Sequence, residues 1–263
     1  MLASNFNFMN SSEQSYSKRA FTLIETVIAI GVLAVLLTGF MLVFGPAAEG
    51  IRTSVNAQIA DRLASTFEQE LVQLRPGQQS AADEIKSAFD KAFVYVKNSG
   101  TKGNQANALV VYQYRADLRG VPRADGSLPP RVNITGQVAG QDYLVKTMMR
   151  RASDPAFRSD LPAVEGAVFF GVCRQLVFRN SQLTPVPKPG EIRNPNFDGR
   201  AETGQISGPD SYPESVLAFV TDFHITPSRD PNYFSGLAFG KLFDSAVELA
   251  KRPVFSRNMA VRR

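Results

Sequence analysis

A single carboxylate stands inside the most apolar stretch of this chain. Glu25 is the only ionisable residue between Phe21 and Phe44, and the basic residues Lys18 and Arg19 lie just before that stretch. A charged side chain inside the hydrocarbon of a membrane is costly, so it usually has a partner and a function. The chemistry that Glu25 predicts is therefore an ion pair with a cation.

The apolar stretch is long enough to cross a membrane as one helix. At about 1.5 Å of rise per residue, the run from Phe21 to Phe44 spans the roughly 30 Å of bilayer hydrocarbon. The basic residues before it predict a cytoplasmic N-terminus. A cleaved secretory signal fits less well, because the run exceeds the usual apolar length of about 7–15 residues and lacks a small-x-small end. A plain signal anchor is the alternative.

The residues at this junction resemble the N-terminus of type IV prepilins and type II secretion pseudopilins. The resemblance is carried by Lys18-Arg19-Ala20-Phe21-Thr22-Leu23-Ile24-Glu25 and the apolar helix that follows, and it covers about the first fifty to seventy residues. It implies that a prepilin peptidase cuts between Ala20 and Phe21 and that Phe21 is then N-methylated. It also implies that Glu25 pairs with the N-terminal ammonium of a neighbouring subunit in a filament.

Two positions depart from the usual pattern of that family. The family usually has glycine before the cut, where this chain has Ala20, and it often has a proline midway along the apolar helix, whereas the first proline here is Pro46. The junction from Phe44-Gly45-Pro46 to Ile51-Arg52 also resembles prepilin-like proteins encoded in verrucomicrobial gene cassettes.

The helix is predicted to continue beyond Pro46, a candidate kink, and to end near Arg75-Pro76-Gly77. Apolar residues recur there at every fourth position, which indicates an amphipathic helix. They are Ile51, Val55, Ile59, Leu63, Phe67 and Leu71. A spacing of four drifts around a helix faster than the 3.5-residue repeat of a coiled coil. Packing on the chain's own sheet is therefore favoured over a coiled-coil stalk.

Beyond this helix the pattern predicts an α+β domain with an antiparallel sheet, because turn residues rather than crossover helices join the strand-like runs. A short helix is predicted over 83–92. The predicted strands are Phe93–Lys97, Ala108–Tyr114, Val132–Val138, Tyr143–Met149, Ala167–Phe178 and Val216–Thr226. The predicted order of segments is a leader at 1–20, a transmembrane or filament-core helix at 21–44, its amphipathic continuation at 45–75 and an extracytoplasmic domain at 76–263.

Several connecting segments carry their own predictions. Gly140-Gln141 predicts a tight hairpin, and Phe239–Lys251 predicts a short helix that covers the sheet. Leu118–Arg131 and Thr184–Ser215 are rich in Pro and Gly, which predicts exposed loops that meet partners. The C-terminal cations are predicted to form a solvated tail; they are Lys251, Arg252, Arg257, Arg262 and Arg263.

Composition and charge exclude some classes of function. Hydrophobic residues make up 44% of the chain and charged residues 20%, as in ordinary globular proteins, and the net charge is +5. This modest charge, without a basic stripe, does not predict nucleic-acid binding. Cys173 is the only cysteine, so no intramolecular disulfide can form, and its apolar surroundings predict a small buried side chain.

Residues for other chemistries are sparse. His224 is the only histidine, and it shares a predicted polar strand face with Asp222, but no Gly-x-Ser-x-Gly motif accompanies them. Zinc would need more His or Cys ligands than the chain has. Gly199–Gln205 has the glycine spacing of a P-loop without its Lys, and Asp198, Glu202 and Asp210 lack the spacing of a calcium-binding EF-hand. We therefore expect no enzymatic activity, cofactor or metal.

The sequence as a whole predicts a structural subunit, minor or accessory, of a type IV pilus-like or type II secretion pseudopilus filament. Its expected partners are the prepilin peptidase, other pilin or pseudopilin subunits and the inner membrane, with no nucleic acid. A single pass through that membrane would leave the C-terminal domain extracytoplasmic, and the processed chain would enter the filament. The alternative is a membrane-anchored periplasmic binding or catalytic domain that uses a prepilin-type export signal.

Overall fold

The computed structural model describes residues 22–79, 85–100, 105–179, 181–195, 206–244 and 253–263. The chain divides into two units, Met1–Arg52 and Thr53–Arg263. The helices are α1 (Leu23–Val72), α2 (Ala88–Asn98), α3 (Pro155–Asp160), α4 (Pro231–Ser235) and α5 (Leu237–Asp244), with short 3-10 turns at Gln105–Asn107, Leu161–Ala163 and Pro209–Ser211. The strands are β1 (Leu109–Asp117), β2 (Tyr143–Arg151), β3 (Val164–Arg179), β4 (Gln182–Pro185), β5 (Val216–Ile225) and β6 (Phe255–Arg262).

The sheet is antiparallel throughout and follows the order β2-β1-β3-β5-β6, with β4 paired to the end of β3. A long N-terminal helix followed by an antiparallel sheet is the predicted α+β arrangement, which is confirmed. Four of the predicted strands correspond to β1, β2, β3 and β5. They are the strands predicted at Ala108–Tyr114, Tyr143–Met149, Ala167–Phe178 and Val216–Thr226. Their Val, Phe and Tyr content suits a sheet buried on both faces.

The first face of the sheet is covered by the second half of α1. From Ala60 onward the helix buries Leu63, Phe67 and Leu71, whereas Val55 is 46% exposed. The predicted stripe therefore packs on the sheet only in its C-terminal part. Phe67 meets the Phe223 ring edge-on, with 5.3 Å between ring centroids.

Gly171 of β3 permits this close packing between helix and sheet. A Cβ atom at this position would lie 3.1 Å from Cε2 of Phe67 and 3.0 Å from Cγ2 of Thr221. Such contacts are tighter than ordinary van der Waals packing, so glycine at this position lets the Phe67 ring approach the backbone of the strand closely.

The opposite face of the sheet is covered by α3, α4 and α5. These helices contribute buried aromatic rings that pack on Tyr112 and Phe170; the rings are Phe157, Phe234, Phe239 and Phe243. The centroids of Phe170 and Phe239 lie 5.9 Å apart in an edge-on arrangement. The predicted helix over Phe239–Lys251 thus covers the sheet as expected, although its residues beyond Asp244 lie outside the described part.

Two predicted strands and the predicted hairpin are wrong. Phe93–Lys97 lies in α2, whose N-terminus is fixed by a capping box in which Ser87 and Asp90 bind each other's backbone N–H groups. The run Phe93-Val94-Tyr95-Val96 favoured a strand, whereas these residues continue the helix predicted over 83–92, which α2 includes from Ala88. Val132–Val138 forms turns because its apolar residues bury no face, and Gly140-Gln141 consequently joins no strand pair.

The prediction of a solvated C-terminal tail is also wrong. Phe255–Arg262 forms β6, which pairs with β5 and buries Met259 and Val261 with the two-residue period of a strand. Arg257 lies 3.5 Å from Glu68 of α1 and also contacts Asp61, so the last strand helps to hold the helix on the sheet. Lys251 and Arg252 lie outside the described residues.

Buried Lys91 predicts a rise in stability with pH. Its ammonium donates hydrogen bonds to the Gln73 carbonyl at 2.6 Å and to the Glu70 carbonyl. These bonds satisfy backbone carbonyls at the C-terminal end of α1. Burial lowers the pKa of Lys91 from 10.5 to about 8. Between these values the unfolded chain binds the extra proton, so stability increases as the pH rises through the folded pKa.

We expect the free energy of unfolding to rise by about 2 kcal/mol between roughly pH 7.5 and 9.5, at about 1.36 kcal/mol per pKa unit. Urea unfolding of the full chain in detergent, followed by near-ultraviolet circular dichroism, measures this rise. Lys91→Met should abolish it, and Lys86→Met, at a side chain that is 75% exposed, should keep it. An unchanged rise in Lys91→Met would contradict the assignment.

Candidate functional site

Glu25 and Thr22 form a closed hydrogen-bonded turn at the start of α1. The backbone N–H and the hydroxyl of Thr22 donate to Oε2 of Glu25 at 3.0 and 2.9 Å, and the Glu25 N–H donates to the Thr22 hydroxyl at 3.3 Å. This reciprocal arrangement is a capping box, and the partial positive charge at a helix N-terminus favours a carboxylate there. The helix therefore begins with its one acidic side chain folded onto its own first turn.

Among the described residues, the capping carboxylate of Glu25 has no counter-ion. Thr22 supplies hydrogen-bond donors but no positive charge, and none of the residues described in the structure places a cationic side chain in ion-pair distance of Glu25. Both hydrogen bonds reach Oε2. Oε1 therefore accepts no hydrogen bond from a described residue and can bind a cation from another molecule.

The apolar side chains that follow Glu25 are exposed. Every residue of α1 from Leu23 to Phe44 is accessible in the single chain, and Phe40 stacks on Phe44 with 4.2 Å between ring centroids. By length and composition this is the one helix in the described residues that could cross a membrane. A helix that is apolar on all sides is stable in lipid or when surrounded by other apolar surfaces.

The remaining predicted residues of this site lie outside the described part of the chain. They are Lys18, Arg19, Ala20 and Phe21, so cleavage, methylation and the leader charges stay predictions. The structure adds Thr22, which sequence reasoning did not single out. Its signal was present in Thr22-Leu23-Ile24-Glu25, because Ser or Thr three residues before Glu is the capping-box pattern.

The two residues predicted to share a polar face of β5, Asp222 and His224, form no hydrogen bond with each other in the described part of the chain. His224 is buried and stacks on Phe170, with 5.2 Å between ring centroids, and burial lowers the pKa of its imidazole. Asp222 instead accepts hydrogen bonds from Arg174 at 2.7 Å and Ser256 at 2.6 Å. The predicted polar face therefore holds a histidine packed on an aromatic ring and a separate ion pair.

Cys173 is buried, as predicted. Its thiol lies 3.4 Å from the Thr221 hydroxyl, and burial raises the pKa of the thiol to about 11. Because the thiolate is the reactive form of cysteine, this side chain is chemically inert in the folded protein.

The residues predicted as candidates for ion binding form no ion site within the described part of the chain. Asp210 is exposed and pairs with Lys86 at 3.5 Å. Asp198, Glu202 and Gly199–Gln205 lie outside the described residues. In the part of the chain that the structure describes, no group of three or more His, Cys, Asp or Glu side chains could hold a metal ion.

The structure also shows a buried ionic network that the sequence did not predict. Arg150 of β2 donates to Asp125 at 2.7 Å and to Asp154 at 3.0 Å, while Asp160 accepts from Tyr112 at 2.7 Å and Arg123 at 2.8 Å. Together these contacts attach the β1–β2 connection to β2 and α3.

The pKa shifts in this network follow from burial and hydrogen bonding. Burial acts to raise the pKa of Asp125, but hydrogen bonds from Ser127 and Arg150 outweigh it and lower the pKa to about 2. For Asp160 burial dominates and raises the pKa. Apart from Arg150 and Asp154, the partners are 25 or more residues apart in sequence, so no short motif indicates the network.

Comparisons with known proteins identify the N-terminal segment. Residues 16–41 match the family model described as the prokaryotic N-terminal methylation motif. No curated protein and no solved structure matches the chain. The matched motif includes Thr22, Glu25 and the first part of the exposed apolar helix. It is similar to the start of prepilin-type proteins, and it indicates a membrane-anchored precursor of the type IV pilin-like or pseudopilin-like kind.

Proposed function

We propose that this protein is a structural subunit, minor or accessory, of a type IV pilus-like or type II secretion pseudopilus filament. The observation that carries the proposal is the methylation motif at residues 16–41, which overlaps the part of α1, from Leu23 to Phe44, whose apolar side chains are all exposed. In the precursor, inner-membrane hydrocarbon would cover this helix, with the sheet domain on the extracytoplasmic side. In the filament, the same helices of other subunits would replace the lipid.

Charge balance suggests how assembly is driven. Cleavage after Ala20 would create a new α-ammonium at Phe21, and N-methylation would keep its positive charge. Glu25 carries the complementary negative charge and offers Oε1, because Thr22 binds Oε2. A buried carboxylate is tolerated when a cation lies within hydrogen-bond distance. A neighbouring subunit would supply that cation only after cleavage, so cleavage would be required for assembly.

Features of the remaining chain favour a minor or accessory role over that of an abundant subunit. The chain has one cysteine and therefore no internal disulfide, and its Pro- and Gly-rich connections at Leu118–Arg131 and Thr184–Ser215 are long. Such connections commonly carry contacts to partners. The kind of filament, a type IV pilus or a secretion pseudopilus, stays a prediction. The resemblance to verrucomicrobial cassette proteins also stays a prediction.

N-terminal processing tests the proposal. Co-expression with a prepilin peptidase should yield a membrane-bound chain that begins at Phe21 and carries one added methyl group, as measured by N-terminal sequencing and intact mass. Cells that lack the peptidase provide the control. An Ala20→Gly variant, which restores the usual residue before the cut, should be processed at least as fast. A membrane-bound chain that retains Met1 in the presence of the peptidase would refute the proposal and favour an anchored periplasmic domain.

A further inference from the structure

A short hairpin extends from the main sheet and exposes apolar side chains. β3 pairs with β5 as far as Gln175, and its last four residues pair with β4. Phe178 and Leu183 are directly opposite each other in this hairpin and are 64% and 57% exposed. Ser181 has a φ of 62°, the left-handed conformation typical of a tight hairpin turn. The hairpin thus presents a paired apolar face on a defined backbone.

The same hairpin is cationic. Arg179 at its turn and Lys188 beyond β4 are exposed, and the sequence contains no Asp or Glu from Gln175 to Gly190. Neither cation forms an ion pair with any side chain that the structure describes. Two positive charges without an acidic partner among the described side chains therefore lie in the same segment as the apolar pair, with Arg179 at the turn on the opposite face of the hairpin from Phe178 and Leu183.

Val121 in the β1–β2 connection is also an exposed apolar residue, but its charged surroundings differ from those of the hairpin. Val121 is 85% exposed, but the nearby cations are neutralised, since Arg119 pairs with Asp142 at 2.7 Å and Arg123 with Asp160 at 2.8 Å. Val121 therefore serves as a matched site with apolar exposure but without free positive charge.

We propose that the β3–β4 hairpin binds an anionic lipid surface. The tip of the hairpin would enter the headgroup boundary with Phe178 and Leu183 on one face, while the long side chains of Arg179, on the other face, and of Lys188 extend to lipid phosphates. Pairing with a strand of another protein is disfavoured, because Pro185 removes a backbone donor from the outer strand β4. The contact needs the membrane anchor of the proposed function but not filament assembly.

The test places a fluorescent label on the hairpin of the full chain. Leu183→Cys and, as the matched control, Val121→Cys are labelled with bimane and reconstituted into vesicles of phosphatidylcholine, with or without phosphatidylglycerol. Cys173 is buried, and unlabelled wild type checks that it does not react. On vesicles that contain phosphatidylglycerol, but not on neutral vesicles, the bimane emission at position 183 should shift to shorter wavelength and be protected from quenching by aqueous iodide. The emission and quenching of the label at position 121 should be the same in both kinds of vesicle.

The charges are tested in the same vesicles. Arg179→Gln combined with Lys188→Gln should weaken the contact about 30-fold, at roughly 1 kcal/mol for each cation near an anionic surface, and high salt should weaken it too. Equal quenching in neutral and anionic vesicles would overturn the proposal. So would protection that persists in detergent or grows with the protein-to-lipid ratio, which would indicate a second copy of the chain. Flotation with the vesicles verifies the anchor separately, so failure of the anchor is distinguishable from failure of the hairpin.

Discussion

Replacing Glu25 with alanine is expected to leave the chain in the membrane and to remove it from the filament. Alanine is better tolerated in hydrocarbon than a carboxylate, so insertion should be intact. In the filament, however, the Phe21 ammonium of a neighbour would lose its counter-ion. Leaving one buried ion of a pair without its partner is strongly unfavourable, and we expect incorporation to fall by about 100-fold or more. Immunoblots of sheared filament and membrane fractions measure the ratio.

Thr22→Val separates ion pairing from helix capping. This variant keeps the carboxylate but removes the hydroxyl that exchanges hydrogen bonds with Glu25. Loss of a cap has a modest effect, so incorporation should fall by no more than about tenfold. Equal losses in Thr22→Val and Glu25→Ala would assign Glu25 to capping alone. Normal incorporation of Glu25→Ala would refute its role in assembly.

Replacing Phe67 with alanine is expected to cause the largest loss of stability in the sheet domain. The ring is fully buried, meets Phe223 edge-on and lies against Gly171. Removing a buried phenylalanine ring leaves a cavity and typically costs about 3–5 kcal/mol. This is a large part of the roughly 5–15 kcal/mol that stabilises a whole domain. Urea unfolding in detergent, followed by near-ultraviolet circular dichroism, measures the loss.

Phe178→Ala provides the control for this measurement. It removes the same ring from a side chain that is 64% exposed, so the change in free energy of unfolding should stay within about 0.5 kcal/mol. If the two variants lose equal stability, α1 does not depend on Phe67 to pack on the sheet. A Gly171→Ala variant should lower stability as well, because its Cβ would press on the same ring.

The sequence predicted correctly the strands that are rich in strand-favouring residues and the part of α1 that has one apolar side. β1, β3 and β5 carry dense Val, Phe and Tyr, and the residues of α1 from Leu63 to Leu71 keep a helical spacing. The second half of α2, Phe93–Lys97, was mistaken for a strand because Phe93-Val94-Tyr95-Val96 is a run of strand-favouring residues, although the helix predicted over 83–92 includes the first half of α2. β6 was mistaken for a tail because its cations outweighed the alternating Met259 and Val261.

The sequence by itself determined the N-terminal site. The basic pair, the predicted cleavage position at Ala20-Phe21, Glu25 and the apolar run are neighbours along the chain, and the Thr22 cap is also predictable from a spacing of three. Only the tertiary structure decided which cations are neutralised and which stay free. Arg150 meets Asp125 across the fold, whereas Arg179 meets no acidic side chain in the described residues. Ion pairing depends on distance in space, and folding sets that distance for residues far apart in sequence.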